Sequence, residues 1–183
     1  MPRITKTVEE RRQEIIDMAR KLFIENGFDK TTVSDISKEL NIAQGLTYHY
    51  FKSKTELLYA VIDEVIKEEA AITEQIMEEY KGKAKDCLSV LLANKSKMEN
   101  YGKMFPPLED QAIMEFVRRK MAASTEPIVL ALIERGNNDK SWNCPYPKET
   151  AHFILNGISG KPNSSEQIII NIILRVLGTP KGV

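Results

Sequence analysis

The 183-residue chain carries 26 lysines and arginines against 26 aspartates and glutamates, so its net charge is zero and any basic surface must be local. No apolar run reaches the length of a membrane span, the N-terminus lacks the apolar core of a signal peptide, and Cys87 and Cys144 form no CxxC motif. These features argue against a membrane protein and a disulfide scaffold, and they predict a cytoplasmic protein of one or two small helical domains.

The first predicted helix begins at a capping box. Thr7 stands three residues before Glu10, a spacing that lets each side chain bond to the other residue's backbone N–H group. An apolar stripe follows at helical spacing and Gly27 ends the helix, with Phe28 expected to pack back on the stripe. Basic residues crowd this end of the chain and predict a local basic face: Arg3, Lys6, Arg11 and Arg12.

Residues 31–58 predict a helix-turn-helix. Thr32, with Asp35 three residues on, caps a short helix, and Asn41 tolerates the left-handed conformation that ends it. A second short helix spans residues 43–50 and carries the polar and aromatic side chains that suit the DNA major groove. The alternative is a hairpin buried in a core, which would need neither this polar cluster nor Gly45 inside a helix.

The expected DNA contacts come from this short stretch. Tyr50 and Lys54 are expected to contact phosphates, because Ser53 and Glu56 form a capping box that places Lys54 at the N-terminus of a third, long helix. Base edges are expected to face Gln44, Leu46 and His49. The full set of predicted DNA-binding residues is Thr32, Gln44, Gly45, Leu46, Thr47, Tyr48, His49, Tyr50 and Lys54.

The remainder of the chain predicts an all-α bundle without a sheet. The long helix from Lys54 extends to about residue 80. Further helices are predicted at about 84–101, 107–122, 125–136, 147–159 and 164–178. Breaks are expected at Pro106 and Pro107, at Pro127 and at residues 136–139, and residues 140–147 predict a loop. We place a DNA-binding domain at 1–53 and a ligand-binding and dimerisation domain at 54–183.

The final predicted helix is apolar around much of its circumference. A helix that is apolar on more than one face is buried on more than one face. A partner subunit would cover the second face, whereas the alternative is a central core helix within one subunit. The predicted dimer contacts are Gly157, Ile168, Ile169, Ile172 and Val176. The operator of such a dimer should be palindromic.

No catalytic or metal-binding constellation stands out, so no enzyme activity, cofactor or metal is predicted. His49 lies in the DNA-reading helix and His152 in an apolar stretch, and no cluster has metal-ligand spacing. The middle region is rich in methionine and aromatic residues, which predict either core filling or a pocket for a small apolar ligand. The candidate ligand-binding residues are Met98, Tyr101, Phe105, Phe116 and Phe153.

The first third of the chain resembles the tetracycline-repressor (TetR) family of transcriptional regulators over about residues 8–65. The matching residues are Ala19-Arg20-Lys21-Leu22-Phe23, Gly27-Phe28, Thr31-Thr32-Val33, Ile36-Ser37, Gly45, Tyr48-His49-Tyr50-Phe51, Lys54, Leu57 and Leu58. The chain departs from the family pattern at Asn41, where Gly is usual, and at Ala43, where a hydroxyl residue usually caps the second helix. Leu46 and Thr47 look exchanged relative to that pattern.

The resemblance implies a homodimeric regulator, a repressor, whose DNA affinity changes when a small molecule binds. It also implies a four-helix dimer interface built from the last two helices of each subunit. Two other classes remain open: a helical scaffold that binds only proteins, and an enzyme without a recognisable catalytic motif.

Overall fold

The computed structural model describes residues 6–93, 111–158 and 166–178. Within these ranges the chain is all-α, as predicted, and no strand occurs among them. Its helices are α1 (Val8–Asn26), α2 (Val33–Glu39), α3 (Gln44–Tyr50), α4 (Lys54–Glu79), α5 (Ala84–Ala93), α6 (Gln111–Asn138), α7 (Pro147–Ile158) and α8 (Glu166–Val176). In the same ranges, no helix is both long enough and apolar enough to cross a membrane.

The described residues divide into two compact units. The first holds 6–65 and 111–117, and the second holds 66–93, 118–158 and 166–178. Helices α4 and α6 each contribute residues to both units. The predicted domain boundary after residue 53 stays a prediction.

The first unit is organised by the apolar face of α1. Thr7 and Glu10 form the predicted capping box, and Gly27 ends the helix with φ 87°. Phe28 returns to the stripe as predicted, with its ring 5.3 Å from the ring of Phe23 in an edge-to-face arrangement. Buried apolar side chains of α1, α2 and the first part of α4 complete this core: Ile15, Ile16, Ala19, Leu22, Phe23, Val33, Ile36, Leu57, Leu58, Val61 and Ile62.

The second unit has its own apolar core. Only one face of α8 packs against this core. The core consists of Ala84, Cys87, Leu88, Leu132, Ile133, Trp142, Cys144, Ala151, Ile154, Ile173 and Leu177. Both cysteines are free thiols within it, as the sequence predicts. Burial raises the pKa of the Cys87 thiol, so this side chain packs as a small neutral group.

The predicted break at Pro127 is wrong, because α6 is continuous from Gln111 to Asn138, whereas the break predicted at residues 136–139 is present, since the helix ends there. Proline removes one backbone hydrogen bond, to the carbonyl of Ala123, and its fixed φ is compatible with a helix. Pro127 and Ala123 are both exposed, so water can solvate the freed carbonyl. Burial of Ile128 and the residues after it holds the helix together beyond the proline.

Gly136 serves packing instead of ending a helix. A β-carbon at this position would lie 1.9 Å from Cε2 of Trp142, so only glycine lets the indole lie against the helix. The indole N–H also donates to the carbonyl of Ile133 at 2.9 Å. The left-handed residue that follows the helix is Lys140, with φ 61°.

The loop after α6 also caps α5. One carboxylate oxygen of Asp139 accepts from the N–H of Ala84 at 2.6 Å, and the other accepts from the N–H of Ser141 at 2.9 Å. Ala84 is the first residue of α5, and the N–H groups in the first turn of a helix have no partner within the helix. This long-range cap therefore joins the start of α5 to the end of α6.

Candidate nucleic-acid interface

The ends of the short helices in the helix-turn-helix are set by local features that are recognisable in the sequence. The Thr32 hydroxyl accepts from the N–H of Asp35, and the Asp35 carboxylate accepts from the N–H of Thr32, which completes a capping box at α2. A bond from the Thr32 hydroxyl to the Asp35 carboxylate at 2.6 Å, and then the bond from the Thr32 N–H, lower the pKa of Asp35. Asn41 has the predicted left-handed conformation, with φ 52°. Ala43 stands at the start of α3 and gives it no side-chain cap, as expected from its methyl group.

The side chain of Thr47 is buried, so its predicted place among the DNA-contacting residues is corrected. Its side chain is 0% exposed, and its hydroxyl lies 2.8 Å from the hydroxyl of Ser37. The Ser37 hydroxyl also donates to the carbonyl of Val33 at 2.8 Å. A hydroxyl has one proton, so Thr47 is the donor and Ser37 the acceptor in the contact between them. This pair joins α2 to α3.

The remaining predicted residues of α3 form its outer surface. Gln44, Gly45, Leu46, Tyr48 and His49 are all exposed, and we call this set the α3 outer face. At about 100° per residue, Gly45 and His49 lie opposite Thr47, with Leu46 and Tyr48 on the two flanks. Tyr50 is half-buried, and its ring lies 5.5 Å from that of His49, edge to face.

Gly45 has open space where a β-carbon would stand, since no atom of the protein lies within 4 Å of that position. Its φ is not positive either, so neither packing nor backbone conformation calls for glycine here. Nothing in the described structure therefore requires glycine here. A position without a side chain would allow close approach of another molecule's backbone.

The connector to α4 differs in detail from the predicted capping box. The Ser53 hydroxyl accepts from the N–H of Glu56 at 3.0 Å, as predicted. The Glu56 carboxylate, however, accepts from the N–H of Lys52 at 2.6 Å. The Lys54 ammonium donates to the carbonyl of Phe28 at 2.9 Å and lies 4.2 Å from the centre of its ring. A phosphate contact by Lys54 would therefore share the ammonium with this internal bond.

The predicted basic face near α1 is partly neutralised. Lys6 and Arg11 both form salt bridges to Glu14. The Arg12 guanidinium lies 5.0 Å from the centre of the Phe51 ring. Arg3 lies outside the described residues.

The predicted ligand-binding residues do not form one site in the described structure. Phe153 is 65% exposed, because α7 turns Ala151 and Ile154 into the core and Phe153 away from it, and its ligand-binding role stays a prediction. Phe116 is half-buried, with its ring 4.4 Å from that of Tyr59. Met98, Tyr101 and Phe105 lie outside the described residues.

An open groove of about 550 Å³ in the second unit has none of these residues in its lining. Most of its lining residues have polar or charged side chains, and one of them, Arg135, donates from its guanidinium to the backbone carbonyls of Met77, Tyr80 and Gly82. These bonds hold the C-terminal end of α4 and leave the guanidinium occupied. Among the described residues, no cluster of acidic, histidine or cysteine side chains could hold a metal ion.

The predicted dimer residues on α8 form an exposed apolar stripe. Ile168, Ile172 and Val176 recur every four residues and are 50%, 54% and 39% exposed. Gly157 is exposed on α7, the helix that also presents Phe153. The side chain of Ile169 lies outside the described set.

Residues 15–61 match the family model described as bacterial regulatory proteins, tetR family. Over 61 residues the chain is 43% identical to the HTH-type transcriptional regulator HbdR of Aromatoleum sp. strain CIB, a match that covers 33% of this chain and 27% of that protein. Over 75 residues it is 37% identical to an HTH-type transcriptional regulator of Staphylococcus aureus strain USA300, covering 41% of this chain and 40% of that one. The chain thus spans well under half of these curated relatives.

Similarity to solved structures extends over nearly the whole chain at low identity. The crystal structure of RolR in complex with the ligand resorcinol gives a TM-score of 0.70 at 18% identity, covering 93% of this chain and 89% of that one. The reduced form of NemR from Escherichia coli gives a TM-score of 0.63 at 17% identity, covering 93% and 98%. At these identities the likeness is one of fold.

Proposed function

We propose that this protein, whose residues 15–61 match the model of the tetR family of bacterial regulatory proteins, is a transcriptional repressor that binds DNA as a homodimer and leaves it when a small apolar ligand binds. The observation that carries the proposal is the α3 outer face. Its side chains are exposed and include hydrogen-bonding groups, while α3 itself is fixed from behind by Thr47. A short helix anchored on one side and polar on the other is suited to the major groove.

Within this proposal, Gln44 and His49 read base edges, and Thr32, Tyr48, Tyr50 and Lys54 contact the sugar–phosphate backbone. A glutamine can bond an adenine at two positions, which suits the exposed side chain of Gln44. The phosphate contacts would fix the orientation of the helix without reading sequence.

The exposed stripe on α8 supports a second copy of the chain as the protein partner. Three large aliphatic side chains at helical spacing would cost free energy if they stayed in water. We include Phe153 and Gly157 of α7 in the proposed interface, because one is a large exposed apolar residue and the other has open space where a β-carbon would stand. A two-fold dimer requires a palindromic operator with half-sites a whole number of turns apart, about 34–36 Å per turn.

For the ligand we propose a small, largely apolar molecule that contacts Phe116. The half-buried pair of Phe116 and Tyr59 offers aromatic surface to such a molecule. RolR, which shares the fold, has been crystallised with resorcinol. To release DNA, the ligand must bind the free protein more tightly than the DNA-bound form, because equal affinity for both would shift nothing.

The decisive experiment is selection of DNA from a random pool, followed by mobility-shift titration of the enriched sequence at several salt concentrations. Gln44→Ala should relax preference at one base position, costing roughly 1–3 kcal/mol there. Lys54→Ala should weaken binding to all sequences about equally and lower the salt slope by about one unit. The matched control Lys148→Ala removes an equal charge from an exposed residue of α7. It should change neither the base preference nor the salt slope.

Absence of any enriched, salt-sensitive sequence would refute the proposal and favour the scaffold or enzyme alternatives. For the ligand, a thermal-shift screen of apolar compounds should find one that stabilises the protein by about 2.7 kcal/mol at a hundred times its dissociation constant. The same compound must lower operator affinity. A stabilising compound that leaves operator affinity unchanged would not be an inducer.

A further inference from the structure

Two hydroxyl groups stand in the centre of the helix-turn-helix. Ser37 on α2 and Thr47 on α3 are 2% and 0% exposed, and their oxygen atoms lie 2.8 Å apart. Ser37 gives its only proton to the carbonyl of Val33, so Thr47 must give its proton to Ser37. A buried hydroxyl that loses its partner is costly, and the pair therefore specifies one rotation of α3 against α2.

This rotation decides which apolar residue faces outward. Leu46 precedes the buried Thr47 by about 100° around the helix and is 36% exposed. His49, three residues on, is its polar neighbour on the same side of the helix, and Gly45 has no side chain to screen it. A leucine side chain thus stands open on the DNA-facing side of a short helix.

The chemistry of the major groove gives such a side chain one matching partner. Guanine, cytosine and adenine present hydrogen-bond donors or acceptors there, which leucine cannot use. Thymine alone adds an apolar group, the 5-methyl group on its ring. Removing this methyl group and part of the leucine surface from water would favour binding in proportion to the buried apolar area.

We propose that Leu46 selects thymine in the operator by contact with its 5-methyl group, and that the hydrogen bond from Thr47 to Ser37 holds α3 in the rotation that presents Leu46. The inference rests on the proposed function, because it requires that α3 enter the major groove. Leu46 is then a specificity-determining residue, and Ser37 and Thr47 are positioning residues.

The test uses the full chain and two versions of the DNA selected from the random pool. One contains thymidine and the other contains deoxyuridine at every thymidine position, which removes only the 5-methyl groups. For the unaltered protein, the deoxyuridine version should bind about fourfold more weakly for each methyl group that Leu46 contacts. Leu46→Ala should bind the thymidine version more weakly and should lose that fourfold difference between the two DNAs.

Ile72→Ala is the matched control, since Ile72 is an aliphatic residue of α4 that is 41% exposed and belongs to the second unit. It should keep the full difference. An unchanged ratio in Leu46→Ala would overturn the assignment even if DNA binding is specific. Failure to select any DNA sequence would instead contradict the proposed function itself.

The positioning role of Ser37 and Thr47 is tested by the ratio of affinities for the two DNAs. Ser37→Ala leaves the Thr47 hydroxyl without its buried acceptor, so the ratio between the two DNAs should fall toward one in a protein that remains folded by circular dichroism. Thr47→Ser keeps a hydroxyl at the same position and should retain the ratio. If folded Ser37→Ala kept the full ratio, the hydrogen bond would not position Leu46.

Discussion

At the scale of single residues, glycine at position 45 lowers the stability of α3 but suits a surface that binds another molecule. Glycine in a helix is less favourable than alanine by up to about 1 kcal/mol, and the open space at its β-carbon position means that alanine fits without a clash. A residue that costs stability and fills no structural need is typical of a binding surface.

We therefore expect Gly45→Ala to change two measurements in opposite directions. The free energy of unfolding in urea should rise by up to about 1 kcal/mol. Affinity for the selected DNA should fall, because the added methyl group keeps α3 away from the DNA. An increase in stability accompanied by unchanged affinity would show that no close approach occurs at this position.

The residues of α3 also show where prediction from the sequence stops. Its polar surface was predictable, because exposed polar residues cluster in a short segment beside recognisable caps. The inward turn of Thr47 was not, because a helix of seven residues has too few apolar positions to define its buried side. The partner hydroxyl lies ten residues away on another helix, so only the packed structure joins the two.

At the scale of helices, the α2–α3 hydroxyl pair predicts an asymmetry between two substitutions. Ser37→Ala leaves a buried donor unsatisfied and should cost about 1–3 kcal/mol of unfolding free energy. Thr47→Val keeps the shape of the side chain and leaves Ser37 its bond to Val33, so it should cost only about 1 kcal/mol. Denaturant unfolding of both variants and of the double variant measures this difference. Equal costs would contradict the assignment of Thr47 as donor.

The long-range cap of α5 by Asp139 predicts a dependence on pH. Burial raises the pKa of Asp139, but hydrogen bonds from Ser141 and from the N–H of Ala84 outweigh it and lower the pKa below its ordinary value. A carboxyl group whose pKa is lowered by folding stabilises the protein above its unfolded pKa, about 3.9, and loses that contribution as pH falls through the folded value.

Asp139→Asn should test this cap. The amide has one acceptor oxygen for two N–H donors, so the variant should lose about 1 kcal/mol of unfolding free energy near pH 7. The difference between variant and unaltered protein should shrink below about pH 4. Asp86→Asn, a change of equal charge at an exposed residue within α5, should show a smaller effect at pH 7. A difference that persists unchanged into acid would contradict the role of the carboxylate.

Helices differ in how much of their structure the sequence predicts. The starts of α1 and α2 were predictable, because a capping box is a relation between residues three apart. The continuity of α6 through Pro127 was not, because it depends on which side of the helix faces solvent and which is buried. The cap on α5 could not be predicted from the sequence either, since Asp139 lies 55 residues from Ala84.

At the scale of the whole molecule, the apolar stripe on α8 argues for assembly. Ile173 and Leu177 fill the core of the second unit, and Ile172 faces the other way. The sequence predicted that α8 has two apolar sides, because its aliphatic residues exceed what one buried face requires. It could not show that Phe153 is exposed as well, because aromatic residues occur equally in pockets, cores and interfaces.

Ile172→Glu should convert the proposed dimer to a monomer and abolish binding to the palindromic DNA, as measured by sedimentation velocity and mobility shift. Val90→Glu, which places the same charge at a similarly exposed residue of α5, should leave both unchanged. Sedimentation of the unaltered protein as a stable monomer at micromolar concentration would rule out the proposed interface.

The packing of Trp142 against Gly136 supplies a built-in optical reporter. The chain has one tryptophan, and its indole is 3% exposed within the core of the second unit. Fluorescence excited near the red edge of indole absorption therefore originates from that unit alone, whereas far-ultraviolet circular dichroism averages over the helices of both. If the melting curves from the two signals coincide, the two units unfold together. If they do not, the fluorescence curve gives the melting temperature of the second unit, and its difference from the circular dichroism curve shows which unit unfolds first.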